Sequence, residues 1–330
     1  MTLAPRQPTT PARADPGTRR VPDRSRAADY RRSARAELTN HAYRRDLGRF
    51  EAWCRAAGYT PLPASPTVLA DYLSHLADEG KKVNTIARAR AAISAAHELA
   101  KVPNPSGDRE VKDTWKGIRR RIKTATVKKQ PITAKAFLPY FETLREDLRG
   151  LRDRALLTLL FAGAFRRSEL VGIHREHIRF VDEGMVVWMP SSKTDQEGKG
   201  DEVPVVAGGR KALCPVRAMR RWLELAGITT GPVFRAIDRH GRITRRPPGK
   251  EALTDQVVAD IVKLAAEAAD LDPKLFSGHS GRAGFVTAAA KNGADLRSIM
   301  TVTRHQQVQT VMGYVRSTQL FEDHAGRGLY

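Results

Sequence analysis

A mainly α fold with a small β-sheet, split into an N-terminal helical domain and a C-terminal mixed α/β domain, is the architecture this sequence predicts. Its 330 residues suffice for two domains, and 41% hydrophobic with 28% charged residues is an ordinary globular balance. Apolar residues recur at helical spacing from about residue 36 to 120. The second half is helical at both ends and broken once by strand-like runs around a Gly-rich turn.

Residues 1–35 carry nine Arg against three Asp and a single aromatic, Tyr30. That is too little apolar surface to offset the entropy of ordering them, so a flexible basic arm is expected. The helical domain, 36–120, opens with Leu47, Phe50, Trp53 and Cys54 on one face, followed by Val68, Leu69, Tyr72, Leu73 and Leu76 on another. Ser65 is the expected cap of this second helix, with Pro66 at its first position and Gly80 at its end. A third helix starts near Asn84, and "DREVKDTWKGIRRR" makes a fourth.

No acidic residue lies between Thr114 and Phe141. In that stretch Lys116, Arg119, Arg120, Arg121, Lys123, Lys128 and Lys129 accumulate, and residues 121–131 read as a basic linker. One-signed charge joining two domains suits a chain that tracks phosphates, so these residues are the expected DNA contacts.

The second domain, 132–330, begins with helices, one nearly all apolar at 153–165. "MVVWMPSSKTDQEGKGDEVPVV" then reads as strand, polar turn, strand, and "PVFRAI" with "GRITRR" as a further pair. Helices return at "CPVRAMRRWLELAG", "TDQVVADIVKLAAEAAD" and from Ser277 onward, leaving a tail at 317–330.

With 57 Lys and Arg against 36 Asp and Glu, the net charge is +21 and the pI near 10.4, so polyanions are the expected partners. Cys54 and Cys214 stand far apart, which argues against a disulfide framework or a thiolate metal site. No apolar run approaches the roughly 20 residues that span a bilayer, and the N-terminus lacks a secretory apolar stretch. A soluble, cytoplasmic, nucleoid-associated protein is the expectation.

Chemistry concentrates in three places. "SGHSGRAGF" sets His279 and Arg282 on one face of a helix opening that Ser277 is expected to cap, where free backbone N–H groups favour an anion. "GAFRRSEL" places Arg166 just past the apolar helix, with Glu169 one turn later to orient its guanidinium; Arg167 is the adjacent alternative. "TRHQQVQTVMGYVR" sets His305 nine residues before Tyr314, a tyrosine that by itself reads more readily as core than as nucleophile.

Taken together, Arg166 in "RRSE", Lys193 in "SSKTDQ", His279 and Arg282 in "GHSGR", His305 and Tyr314 form an ordered set that resembles the tyrosine recombinase or phage integrase family. The helical domain before them looks like that family's core-binding domain. One departure is Arg304, which stands before His305 where the family often has Gly. The resemblance implies site-specific recombination without metal, ATP or other cofactor. Strands are cut and rejoined through a 3′-phosphotyrosine and a Holliday junction, by a homotetramer clamped on two double-stranded DNA sites, as in phage integration or movement of a mobile element.

The residue types suit that chemistry. Tyr314 would be the nucleophile, and its aryl phosphodiester is reversible because a phenol, with a pKa of about 10, leaves more readily than an alkoxide. Arg166 and Arg282, charged at any usable pH, would hold non-bridging phosphate oxygens bidentately, a geometry lysine lacks. Lys193 would protonate the departing 5′ oxygen, His279 would accept the tyrosine proton, and His305 would donate a hydrogen bond to the phosphate. Leu320 and Phe321 in the tail could dock into a neighbouring subunit.

Other readings have less support. His174, Glu176 and His177 in "HREH" lack the i, i+4 histidine pair and acidic cluster of a metal hydrolase, so no metal site is expected; "EGKG" lacks the spacing of a nucleotide phosphate loop. A type IB topoisomerase or telomere resolvase would share the Tyr, Arg and Lys, although the compact helical domain favours a recombinase. From another class, a catalytically inactive recombinase-like protein could bind DNA as an architectural factor.

Overall fold

The structure is a computed structural model that describes residues 37–122, 129–190 and 200–318. The predicted arm at 1–35, Lys123, Lys128, Lys193 and the end of the tail with Leu320 and Phe321 lie outside the described residues. The chain divides into two compact units, 1–126 and 127–330. The fold is mostly helical with one small antiparallel sheet. Among the described residues no helix is long and apolar enough to cross a membrane.

Among its described residues the first unit packs four α-helices, α1 (Glu37–Ala57), α2 (Pro66–Asp78), α3 (Val83–Ala100) and α4 (Arg109–Ile122). Ser65 caps α2 by accepting a hydrogen bond from the Val68 amide at 3.2 Å, and Pro66 takes the first turn, where its missing N–H costs nothing. All five apolar residues predicted for this helix are buried, and the Phe50 ring of α1 sits 4.9 Å from the Tyr72 ring. His97, fully buried, is a strut: Nε2 accepts from the Ala64 amide at 2.9 Å, so Nδ1 donates to the Ile93 carbonyl at 2.8 Å. The amphipathic α4 buries Val111 and Ile118 and leaves Lys116, Arg119, Arg120 and Arg121 exposed.

The second unit is built around α6 (Leu148–Ala162), which follows the short α5 (Leu138–Thr143) and is buried almost all round. After α7 (Arg167–Val171), strands β1 (Ile178–Val181), β2 (Gly184–Met189) and β3 (Asp201–Val206) form the sheet in chain order. Val187 faces Ile178 on one side and Val203 on the other, putting Met185, Val187, Met189, Val203 and Val205 against the core. Helices α8 (Pro215–Leu225), α9 (Asp255–Glu267), α10 (Ser280–Lys291), α11 (Leu296–Thr303) and α12 (Val308–Thr318) complete the unit. Trp222 of α8 fills the core and donates its indole N–H to the Val233 carbonyl at 3.0 Å.

Two contacts hold α10 in place. The Gln130 and Ile132 amides donate to the Leu275 and Ser280 carbonyls at 2.9 and 3.0 Å, so the 130–132 segment lies along the start of this helix. That approach needs Gly284, where a Cβ would fall 1.8 Å from the Ile132 carbonyl oxygen.

Three sequence expectations need correction. Strand β1 was not anticipated. The further pair at 232–246 does not form a ladder: isolated bridges occur instead, Ile237 with Ile243, Arg235 with Ala252 and Pro232 with His174. The helix carrying Arg282 starts at Ser280 rather than being capped at Ser277. Residue 277 closes a preceding turn instead, its hydroxyl accepting from the His279 amide at 3.3 Å and its carbonyl from the Ser280 amide at 2.8 Å.

Candidate active site

One cavity of ≈ 360 Å³ gathers Arg166, His279, Arg282, Ala283, His305, Gln306, Gln307, Thr310 and Tyr314. Five of the six predicted site residues line it. The sixth, Lys193, lies outside the described residues, on the segment joining β2 to β3.

Arg166 is delivered by a tight turn at the end of α6. Ala164 adopts φ +46°, a left-handed conformation that costs a residue with a Cβ on the order of 1–3 kcal/mol. Gly163 is required beside it, because a Cβ there would lie 2.1 Å from the Phe165 ring. The strained turn aims the Ala164 carbonyl at Arg282, whose Nη1 donates to it at 2.8 Å.

Arg166 then precedes α7, its amide donating to Glu169 Oε2 at 2.9 Å and its Nη1 to Oε1. Glu169 is buried, which alone would raise its carboxyl, but the Arg166 amide together with the Arg304 and Arg166 guanidinium groups outweighs that and holds it below the usual carboxylate range. Arg167 points elsewhere: its stem packs on Gly278 and its guanidinium pairs with Asp255 at 3.4 Å. Of the two adjacent arginines, Arg166 lines the cavity.

Arg282 is buried on α10, and its Nη2 has no hydrogen-bond partner among the described residues. Burial first, then the charge of Arg166, pushes its proton affinity down to about 9, with Tyr314 and Glu169 acting in the opposite sense. It remains a cation at neutral pH. An unsatisfied guanidinium nitrogen in a cavity with a second arginine is suited to receive an oxyanion.

His305 is half-buried, and its protonation state follows from its neighbours. The Thr303 hydroxyl has one proton and gives it to the Ile299 carbonyl at 2.7 Å, so its oxygen accepts from His305 Nδ1 at 2.7 Å. Nε2 therefore carries the lone pair. Burial, then the charges of Arg282, Arg166 and Arg304, push this imidazole down to about 4, with Glu169 opposing. These surroundings hold His305 neutral, and in this tautomer Nε2 donates to a phosphate only after gaining a proton. His279 is exposed at the position before α10. Tyr314 of α12 packs partly against Val286, Ala290, Ile299 and Val311, joining the core and cavity readings left open by the sequence.

Sequence reasoning missed Ala283, Gln306, Gln307 and Thr310 as cavity residues; the two glutamines directly follow His305, and that adjacency was the available signal. It noted Arg304 as a departure but not that its side chain is buried. His174 and His177 stack at 5.3 Å, Glu176 accepts from the Gly231 amide, and no group of three metal-ligating side chains comes together among the described residues.

On the fold, the comparisons with known proteins agree. Residues 128–320 match the Phage integrase family and residues 30–101 its N-terminal SAM-like domain. The chain belongs to this family, the tyrosine recombinases. Among individual proteins, it is 39% identical to the integrase/recombinase xerD homolog of Selenomonas ruminantium, over 90% of this chain and 86% of that one. It is 25% identical to the recombinase cre of Escherichia phage P1, over 81% and 80% of the two chains. The XerH site-specific recombinase, solved bound to its palindromic difH substrate, shares the fold at TM-score 0.62 and 17% identity, over 88% of this chain and 80% of that one.

Proposed function

We propose that this protein is a site-specific DNA recombinase that breaks and rejoins strands through a covalent 3′-phosphotyrosine. The observation that carries the reading is the convergence of Arg166, His279, Arg282, His305 and Tyr314 on one cavity, with a buried guanidinium nitrogen of Arg282 left to meet a ligand. A scissile phosphate fits that setting by charge.

In the forward step the Tyr314 Oη attacks phosphorus and the bond to the 5′ oxygen breaks. The phenol proton passes to His279, and the leaving oxygen takes a proton from Lys193. Arg166 and Arg282 bind the non-bridging oxygens; losing one such preorganised donor costs about 3–4 kcal/mol in comparable sites. The phosphate charge offsets the arginines around His305, which then takes up a proton and donates from Nε2. Attack by a 5′ hydroxyl reverses each step, so no ATP is consumed. Four protomers on two sites would exchange strands in pairs through a Holliday junction, with the exposed cations of α4 and Lys129 tracking phosphates.

The test is covalent trapping on nicked suicide duplexes drawn from DNA flanking the gene, without divalent metal or ATP. An adduct formed by the wild type and lost in Tyr314→Phe supports the reading. Tight binding with no adduct on any duplex supports the inactive DNA-binding alternative.

A further inference from the structure

Arg304 ends α11 at φ +54°, ψ +41°, a left-handed conformation that favours glycine. An arginine kept there against backbone strain would ordinarily extend into solvent. This one turns inward and is buried: Nη2 donates to Glu169 Oε2 at 2.9 Å, and Nη1 reaches the Val302 and Gly163 carbonyls at 3.2 and 3.4 Å. Its guanidinium carbon lies 5.0 Å from the centre of the Phe165 ring, and its Nε is buried with no partner among the described residues. Strain and desolvation are both accepted to place one cation against one carboxylate.

We propose that Arg304 is a positioning residue of the phosphate site, fixing Glu169 in the orientation from which that carboxylate aims Arg166 into the cavity. The inference rests on the recombinase reading above. Arg304 does not line the cavity, so it acts through Glu169 rather than on the substrate. Glu169 Oε1 takes Arg166 Nη1, while Oε2 takes both the Arg166 amide and Arg304 Nη2. Without Arg304, one side of Oε2 loses its donor, and the carboxylate is held only by Arg166, the side chain it has to aim. The same side chain ties the segment bearing His305 to the turn bearing Arg166, so the two ends of the cavity hold one spacing.

A merely structural role predicts a loss of stability with cleavage at saturating DNA unchanged below the melting temperature. Arg304→Gly should fold with a lowered melting temperature, because relief of the backbone by glycine offsets only part of the lost ion pair. At saturating DNA its rate of adduct formation should fall by roughly one to two orders of magnitude, as for a misaimed catalytic group, while duplex affinity stays within about twofold. Arg304→Lys, which keeps the charge, should recover part of the rate. In a Glu169→Gln background, Arg304→Gly should slow cleavage little further.

Wild-type cleavage rates in Arg304→Gly, or full multiplication of the two defects, overturn the inference and leave the recombinase reading intact. Absence of adduct in the wild type itself overturns both. Should Arg304→Gly fail to fold, Arg304→Lys is measured alone and with Glu169→Gln under the same criteria.

Discussion

Protonation of His305 should destabilise the folded chain in a defined pH window. The imidazole is pushed down to about 4 in the folded state by burial and by Arg282, Arg166 and Arg304, with Glu169 the one opposing charge; unfolded, it titrates near 6.5. Because the folded pKa is the lower, the unfolded chain binds the proton first. The stabilising contribution is complete above the unfolded value and is lost as pH falls towards the folded one. At 1.36 kcal/mol per decade, this amounts to about 2 kcal/mol between about pH 8 and pH 5. Chemical denaturation of the wild type and His305→Gln, each at both pH values, isolates the effect from carboxylates common to both. The wild type should lose about 2 kcal/mol more than the variant. Equal losses would refute the claim that three buried or half-buried cations keep this ring neutral.

The same electrostatics predict proton uptake when DNA binds: near pH 6.5, calorimetry in buffers of different ionisation enthalpy should detect uptake by the wild type and less by His305→Gln. Gly284→Ala puts a methyl group 1.8 Å from the Ile132 carbonyl oxygen and must push the 129–132 segment off α10. The expected cost is about 1–3 kcal/mol, read as a fall of roughly 5 °C in Tm; an unchanged Tm would show that the segment does not hold the helix. Replacing the exposed Arg119 and Arg120 of α4 by Ala should lower the slope of log affinity against log salt by about 2 without changing the fold, and an unchanged slope would remove α4 from the phosphate contacts.

The α2 helix was legible because three signals agreed: Ser65, Pro66 and an apolar stripe whose members are all buried. Three of the residues that line the cavity were legible as well, since His279 and Arg282 share one turn and Arg166 stands one turn before Glu169. The start of α10 was misread because Ser277 carries the right side chain for a cap but spends it on a turn one step earlier. Strand β1 is four residues, Ile178–Val181, too short for alternation to stand out, and only pairing with β2 makes it a strand. Arg304 was hidden for another reason. In a polar run an arginine reads as solvent-exposed, and its burial depends on Glu169, 135 residues earlier in the chain.

The central claim, that Tyr314 is the nucleophile, is tested most directly by the chemistry of the trapped adduct. Tryptic cleavage after Arg304 and Arg316 yields a peptide, residues 305–316, in which Tyr314 is the one tyrosine. After nuclease digestion of the wild-type adduct, mass spectrometry should find this peptide carrying a nucleotide through its 3′ phosphate on Tyr314. A nucleotide on another residue, or attachment through a 5′ phosphate, would contradict the account.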